Sequence, residues 1–433
     1  MKIVLACFGS GGEVQPYIAL GIALKSRGHQ VSIATCEHYR QSVVQLGLDF
    51  QALRPDLPDH EIDAEMVVGI LDPKKGPERL FRDLLLPNLR AQFGDLMRAT
   101  EGADFLVGHP LVLASRLVAD SRKIPWASCA LQPMAFFSKF DPPILGAGKF
   151  AHGLKRVGPR LWSVVRYVIE KSVAKWDEPY HALREELGLE ACPGSMIFGG
   201  KFSPQGNLAL FPKFLAPPQK DWPAGTFVAG FPRYDHQAHP ASAAVEKFMG
   251  EGPPPIIFTR GTALDFGARD FFETSVAAAE LLGRRALLVV GRDARNFPVH
   301  NPRVLAVASA PFGRVFPRAA AIVHQAGIGT AAQGLRAGKP CLLVPGAFDQ
   351  FDNAARLMKL GSSRLLPLHK FKLAKVAAEI QALLENPAYQ TKARAIAGFL
   401  AHEDGAVEAA RTVEKWASRA RGASWPGPAR ATA

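Results

Sequence analysis

Residues 319–337 read Ala-Ala-Ala-Ile-Val-His-Gln-Ala-Gly-Ile-Gly-Thr-Ala-Ala-Gln-Gly-Leu-Arg-Ala, and this pattern decides the fold. The apolar start, residues 319–323, has the length and content of a parallel strand buried on both faces. Residues 331–337 read as a helix. A strand, a loop of small residues and a helix start together make an anion site. The free N–H groups of the first helical turn point at the ligand, and the helix dipole favours negative charge there. Gly327 and Gly329 let a diphosphate approach the backbone, Thr330 closes the loop, and His324 adds a hydrogen bond or a positive charge. A second apolar run, residues 341–344, leads to Asp349-Gln350. These two sit where α/β sheets bind ligands, at a strand's carboxyl end. A diphosphate cradle beside groups that read hydroxyls points to a nucleotide-sugar site.

The same alternation extends outward. Residues 255–259 read as a strand, Gly261-Thr262 as a turn, 271–282 as a helix and 286–290 as a strand. At the amino terminus, residues 2–8 are a strand, Gly9-Ser10-Gly11-Gly12 a turn, 13–27 a helix stopped by Gly28, and 30–35 a strand. Further strands are expected at 105–107 and 127–130. The expectation is an α/β protein of two Rossmann-like domains facing across a cleft. Residues 1–235 form the amino-terminal, acceptor-binding domain and 254–421 the nucleotide-sugar-binding domain. Residues 236–253, rich in Pro, His and Gly, form the linker. Residues 422–433 lack periodicity and are expected to be a disordered tail.

The 433 residues suffice for two large cores, and 48% hydrophobic with 21% charged residues is ordinary for a globular chain. Five widely spaced cysteines without a CxxC pair argue against a disulfide framework and a structural zinc site, and fit a cytoplasmic protein. No apolar run reaches the ~18 residues of a transmembrane helix. The net charge of +13 admits two readings: attraction to anionic partners, or basic residues spread over solvated faces. No zinc finger, RNA-binding signature or tight Lys/Arg run is present, so nucleic acid is not expected as a partner. Oligomeric state leaves no sequence signal.

The residues 324–330 and the later Asp349-Gln350 resemble the donor signature of inverting, two-domain (GT-B) glycosyltransferases that use nucleotide-sugars. Ala326 stands where that signature usually has its first Gly. The amino-terminal stretch Gly9-Ser10-Gly11-Gly12-Glu13-Val14-Gln15-Pro16 is similar to the loop that carries an Asp, the proposed base, in the sterol, glycopeptide and glycolipid members. Glu13 takes that place here. A carboxylate at the cleft can accept the proton of an acceptor hydroxyl as it attacks the anomeric carbon. The other reading of Glu13 is a charge that stabilises the helix terminus. His109 follows a strand and is a candidate to orient or supplement Glu13, with acceptor lining or structure as its alternative. His29, at the far end of the first helix, is read as structural.

The resemblance also implies that Gly261 and Thr262 contact donor phosphates, with Arg260 neutralising phosphate or facing solvent. His324 binds phosphate, and Asp349 and Gln350 bind sugar hydroxyls. Asp352 and Asn353 cap the next helix, or Asn353 reaches phosphate. Ser309 stands where many members stack an aromatic on the base, so backbone around Ala310 and Phe312 is expected to hold it. No Asp-x-Asp pair occurs, so no metal and no other cofactor is expected.

Residues 203–206, 210–212, 216–219, 221–223, 230–232 and 349–354 resemble the catalytic rhamnosyltransferase chain of rhamnolipid synthesis. That implies a dTDP-rhamnose or UDP-glucose type donor. The acceptor implied is a hydrophobic hydroxylated molecule such as a hydroxyacyl lipid, sterol, or polyketide or phenolic compound. Gly12, Met134, Phe136, Phe137 and Trp162 are the expected acceptor contacts. The apolar and basic positions of 161–176 fit an acceptor pocket, peripheral contact with an anionic membrane at its inner face, or ordinary core packing. The rivals are a nucleotide-sugar 2-epimerase of the same fold and an NAD(P)-dependent oxidoreductase, the latter lacking G-x-G-x-x-G.

Overall fold

The computed structural model describes residues 1–56, 64–72, 74–146, 157–192, 194–234, 242–261, 268–291 and 301–422, with Gly153 and Phe297. Two wholly parallel sheets organise them. The first holds β1 (Lys2–Ala6), β2 (Gln30–Thr35), β3 (Asp49–Ala52), β4 (Phe105–Gly108), β5 (Trp126–Ala130), β6 (Asn207–Ala209) and β7 (Thr226–Val228). Its order is β3-β2-β1-β4-β5-β6-β7. The second holds β8 (Ile256–Thr259), β9 (Ala286–Val289), β10 (Val304–Val307), β11 (Ala321–His324), β12 (Cys341–Leu343) and β13 (Ser363–Leu365). Its order is β10-β9-β8-β11-β12-β13. Helices cover both faces, so the central strands are buried from end to end: Leu106 and Val107, Ile257 and Phe258, Ile322 and Val323 have no exposed surface.

Strand order reverses between β1 and β4 in one sheet and between β8 and β11 in the other. A crevice opens at the carboxyl ends of strands on either side of such a switch, because the following helices leave to opposite faces. The Gly-rich loop after β1, His109 after β4, Arg260-Gly261 after β8 and His324 at the end of β11 therefore all fall at switch points.

Two helices bear on the expected domain limits. The linker is in part a helix, Ala243–Gly250, capped by the Ser242 hydroxyl, which accepts from Val245 N–H at 3.3 Å. Arg285 of the second domain donates to Phe248 O and to Pro253 O, so this helix belongs to that domain. Residues 235–241 lie outside the described residues. The last helix, Gly405–Gly422, leaves the second domain and packs on Gly11–Lys25 of the first. Arg27 Nε donates to Glu414 there at 3.0 Å, and Trp416 lies against Gly206. The expected tail, beyond Gly422, is outside the described residues. Where the chain crosses out of and back into the first domain, Glu403 accepts from Phe231 N–H at 3.1 Å, and Arg336 donates to Phe231 O and Pro232 O at 2.6 and 2.7 Å.

A second tie joins the domains beside the cleft. Asp352 is fully buried, accepts from Ile144 N–H at 3.1 Å and pairs with Arg356 at 2.7 Å. Arg356, also buried, reaches Asp141 of the first domain. Ile144 packs against Phe351 on the same helix. Asp352 is thus an interdomain bridge, where the sequence suggested a helix cap.

Candidate active site

Glu13 sits in the first turn of helix Gly11–Lys25, directly after the β1 loop. Ser10 Oγ donates to its Oε2 at 2.6 Å, and Tyr39 OH braces the loop by donating to Gly9 O at 3.2 Å. Desolvation raises the carboxyl above its ordinary value, against the lowering pull of the Ser10 hydroxyl. A raised carboxylate is a better base than a solvated one. His109 is buried and stands edge-on to Tyr17 at 5.7 Å, and its Nδ1 accepts from Leu111 N–H at 3.2 Å. Burial, with a smaller push from Lys201, lowers the ring to about 3. It is a neutral ring with one nitrogen committed to its own turn, which favours the structural alternative over proton transfer.

The second loop faces the first. Helix Ile328–Ala337 begins at Gly327, whose backbone is extended, and no acid stands in its first turn. A Cβ on Gly329 would lie 3.3 Å from Gly12 Cα, so the two helix starts nearly touch across the cleft. His324 is buried, its Nδ1 accepts from Ala326 N–H at 3.1 Å, and its Nε2 lies towards Gly334. Burial pushes its pKa down to about 4, so the expected positive charge is absent and the ring acts as a neutral group. Thr330 is buried, with Gln325 Nε2 3.5 Å from its hydroxyl. Gly261 has φ +68°, and a Cβ there would collide with the Gln325 amide, so only glycine lets β8's loop close on β11's. Thr262 lies outside the described residues. Arg260 is buried and stacks over Phe271 at 5.3 Å, away from the solvent it might have faced.

Asn353 ties the loops together: its Nδ2 donates to Ala326 O at 3.1 Å and to Asp349 Oδ2 at 2.6 Å, while its buried Oδ1 has no partner among the described residues. Asp349 is pushed up from 3.8 to about 7, first by desolvation and then by the negative charge of Glu13. Residues 336 positions apart in sequence (349 − 13) thus share one electrostatic environment. Gln350 is engaged on one side: its Oε1 accepts from Gly346 and Ala347 N–H at 2.9 and 3.2 Å, so its acceptor atom holds the loop. Its amide N–H group is what remains for a hydroxyl. Phe312 is partly exposed and stacks on buried Phe316 at 4.3 Å, which places an aromatic ring next to Ala310 despite Ser309.

The acceptor contacts divide. Gly12, Met134 and Phe137 keep exposed surface. Phe136 is sandwiched between Trp222 at 4.2 Å and Phe202 at 5.3 Å, and Trp162 is completely enclosed. Phe136 is a core residue, because the aromatic cluster of the first domain consumes its faces, and Trp162 has no exposed surface left for an acceptor. Among the described residues no group of three or more His, Cys, Asp or Glu side chains could hold a metal, and no helix is long and apolar enough to cross a membrane. All five cysteines are buried.

The family model for the glycosyltransferase family 28 N-terminal domain matches residues 3–83, and that for the C-terminal domain of erythromycin biosynthesis protein CIII-like proteins matches 288–415. An O-mycaminosyltylonolide 6-deoxyallosyltransferase of Streptomyces fradiae is 31% identical over 99% of this chain and 100% of its own length. The chain belongs to the GT-B glycosyltransferases of this family 28, CIII-like type. A sterol 3-beta-glucosyltransferase of Arabidopsis thaliana is 26% identical over 96% of this chain and 65% of its own length. The structure of a spinosyn rhamnosyltransferase complexed with thymidine diphosphate superposes with a TM-score of 0.67 at 18% identity, covering 96% and 100% of the two chains. The glycosyltransferase fold agrees with both sheets.

Two groups of this glycosyltransferase went unassigned from sequence. Gln325 carries no role in the sequence pattern; its place between His324 and Ala326 is the available signal. The Asp141–Arg356 pair gave none, because nothing local links residues of different domains.

Proposed function

We propose that this glycosyltransferase moves a hexose or deoxyhexose, with inversion, from a dTDP- or UDP-sugar to a hydroxyl of a hydrophobic acceptor. The observation that carries this is the near-contact of Gly329 with Gly12, which sets an acid-free helix N-terminus opposite the Glu13 carboxylate. The diphosphate lies on residues 324–330, Gly261 and Thr262. Phe312 supplies a ring for the base, and Asp349 with the Gln350 amide reads sugar hydroxyls. The acceptor oxygen attacks the anomeric carbon, its proton passes to Glu13, and the bond to the diphosphate breaks. The helix terminus and neutral donors stabilise the leaving diphosphate without a metal.

The thymidine diphosphate complex of the spinosyn rhamnosyltransferase supports a dTDP-deoxyhexose donor. The resemblance of residues 203–223 to the rhamnolipid enzyme supports dTDP-rhamnose and a hydroxyacyl acceptor. The Streptomyces relative, by its name, acts on O-mycaminosyltylonolide, which supports a polyketide-type acceptor. Helix Gly158–Val173 exposes Leu161, Val164, Tyr167 and Val168, with Lys171 on the same helix. That face supports peripheral contact of a cytoplasmic enzyme with an anionic membrane.

The test is a matrix of dTDP- and UDP-sugars against hydroxylated lipids, sterols and phenols, with products read by mass spectrometry and anomeric configuration by NMR. An excess of chelator should leave most of the rate. Loss of the rate, restored by magnesium or manganese, overturns the metal-free account.

A further inference from the structure

Lys201 stands on the turn before β6 and is partly buried. Its Nζ donates to Ile197 O at 2.7 Å, and the rings of Phe202 and Phe137 lie 5.4 and 5.8 Å away. Among the described residues no carboxylate pairs with it. The charged group that acts on it is a like charge, Arg166, which itself pairs with Glu170 at 2.8 Å. Lysine is seldom buried without a counter-ion, because removing an ammonium from water is costly. Burial, with Arg166 adding to it, pushes this ammonium down to about 7.

The position of this cation gives it meaning. Glu13, His109 and Phe137 follow β1, β4 and β5, which are neighbours in the sheet and end on the same side. Lys201 acts electrostatically on His109 and covers the Phe137 ring. Phe137 is held at φ +46°, a costly conformation for a bulky residue, with its ring edge-on to Phe198 at 4.9 Å. An unpaired cation in an aromatic box thus lies on the half of the cleft that carries the base.

We propose that Lys201 recognises an anionic group of the acceptor, so that the acceptor class is an apolar hydroxylated molecule bearing a carboxylate. This rests on the reading of the first domain as the acceptor side. The carboxylate supplies the missing counter-charge, and the Phe137 and Phe202 rings pack the adjoining apolar chain. A neutral acceptor of the same shape leaves the cation uncompensated.

Calorimetry with 3-hydroxydecanoate and its methyl ester tests this, in the presence of thymidine diphosphate. A hydrogen bond between charged groups corresponds to roughly a tenfold to hundredfold preference for the acid. Lys201→Met and Lys201→Gln should abolish that preference while the ester's affinity stays within a few-fold, and Lys201→Arg should keep it. Equal affinity for acid and ester in the wild type, no binding of the acid, or a preference that survives Lys201→Met and Lys201→Gln, each overturns the proposal. Thymidine diphosphate binding is measured alone on every variant. Its retention shows a folded donor domain, and its absence from the wild type breaks the nucleotide-sugar reading independently of Lys201.

Discussion

The loop after β1 and the loop after β11 share one plan: a buried strand end, glycines, and a helix whose N-terminus faces the cleft. They differ in the first helical turn. Helix Gly11–Lys25 carries Glu13 there, and helix Ile328–Ala337 carries no acid. The first helix end is therefore neutralised by its own side chain, and the second is left for a ligand's negative charge. Their polar neighbours follow the same division. Glu13 has a hydroxyl donor and a raised pKa, whereas His324 is kept neutral by burial and spends Nδ1 on the loop itself. One local fold, used twice, yields a proton acceptor on one wall and a phosphate cradle on the other.

The comparison breaks most directly at Glu13. Glu13→Gln keeps shape and removes basicity, so turnover should fall on the order of 10²–10⁴-fold. Affinity for thymidine diphosphate should stay unchanged, because that ligand belongs to the other loop. If Glu13 only neutralises its helix end, its loss affects stability by about 0.3–1 kcal/mol and leaves the rate within a few-fold. Turnover, calorimetry and melting on one preparation separate the two, and a rate near wild type removes Glu13 from the chemistry.

The two walls are coupled through Asp349, and that coupling has a sign. Glu13 and Asp349 are both raised, so the base is protonated at a pH where ordinary carboxylates are charged. The acid limb of kcat/KM should lie above the usual carboxylate range. Two interacting carboxyls titrate as a pair, so the limb belongs to both. Asp349→Asn removes the carboxyl on which the Glu13 charge acts and leaves Glu13 to titrate alone, so the limb should move to lower pH and take the slope of a single group. Stability runs in the opposite sense. Between 3.8 and about 7 the folded protein holds a proton on Asp349 that the unfolded chain has lost. The unliganded enzyme therefore loses stability as pH rises through that window. Melting of Asp349→Asn should exceed wild type at pH 8 and converge with it near pH 4; parallel curves would remove Asp349 as the cause.

Both loops and the strands that launch them were legible because each is a local pattern: an apolar run, then glycines, then helical periodicity. Strands at 2–6 and 256–259 fall inside the stretches read as strands, and the strand at 321–324 runs one residue past the stretch 319–323. What the sequence hid is what folding brings together from far apart. Nothing local to Glu13 or Asp349 reports their shared field. Phe136 and Trp162 look like any aromatic lining until the fold covers Phe136 with Trp222 and Phe202 and leaves Trp162 no exposed surface. The last helix reads as part of the second domain because it follows it, yet its partners, including Arg27, lie on the first. Gln350 shows the finer version: its identity was read, but whether its oxygen faces a sugar or its own backbone depends on how residues 346–347 turn.

The smallest expected effect concerns the residue where this chain departs from the usual glycine. Ala326 has φ +67°, the left-handed region, and is fully buried. That conformation costs an ordinary residue roughly 1–2 kcal/mol. Glycine would relieve it, but glycine loses ~0.5–1 kcal/mol more backbone freedom on folding, and the buried methyl contributes about 0.8 kcal/mol. The terms nearly cancel, so Ala326→Gly should shift denaturant stability by no more than about 1 kcal/mol. Thymidine diphosphate affinity should be unchanged, since Ala326 N–H to His324 and Ala326 O to Asn353 are backbone contacts that glycine also makes. Ala326→Val tests the same geometry from the other side. A β-branched residue at positive φ strains the turn further. Those two contacts should slip, and donor affinity should fall with stability. If valine leaves donor affinity intact, the phosphate cradle does not depend on this turn, and the contrast between the two loops rests on their first helical turns alone.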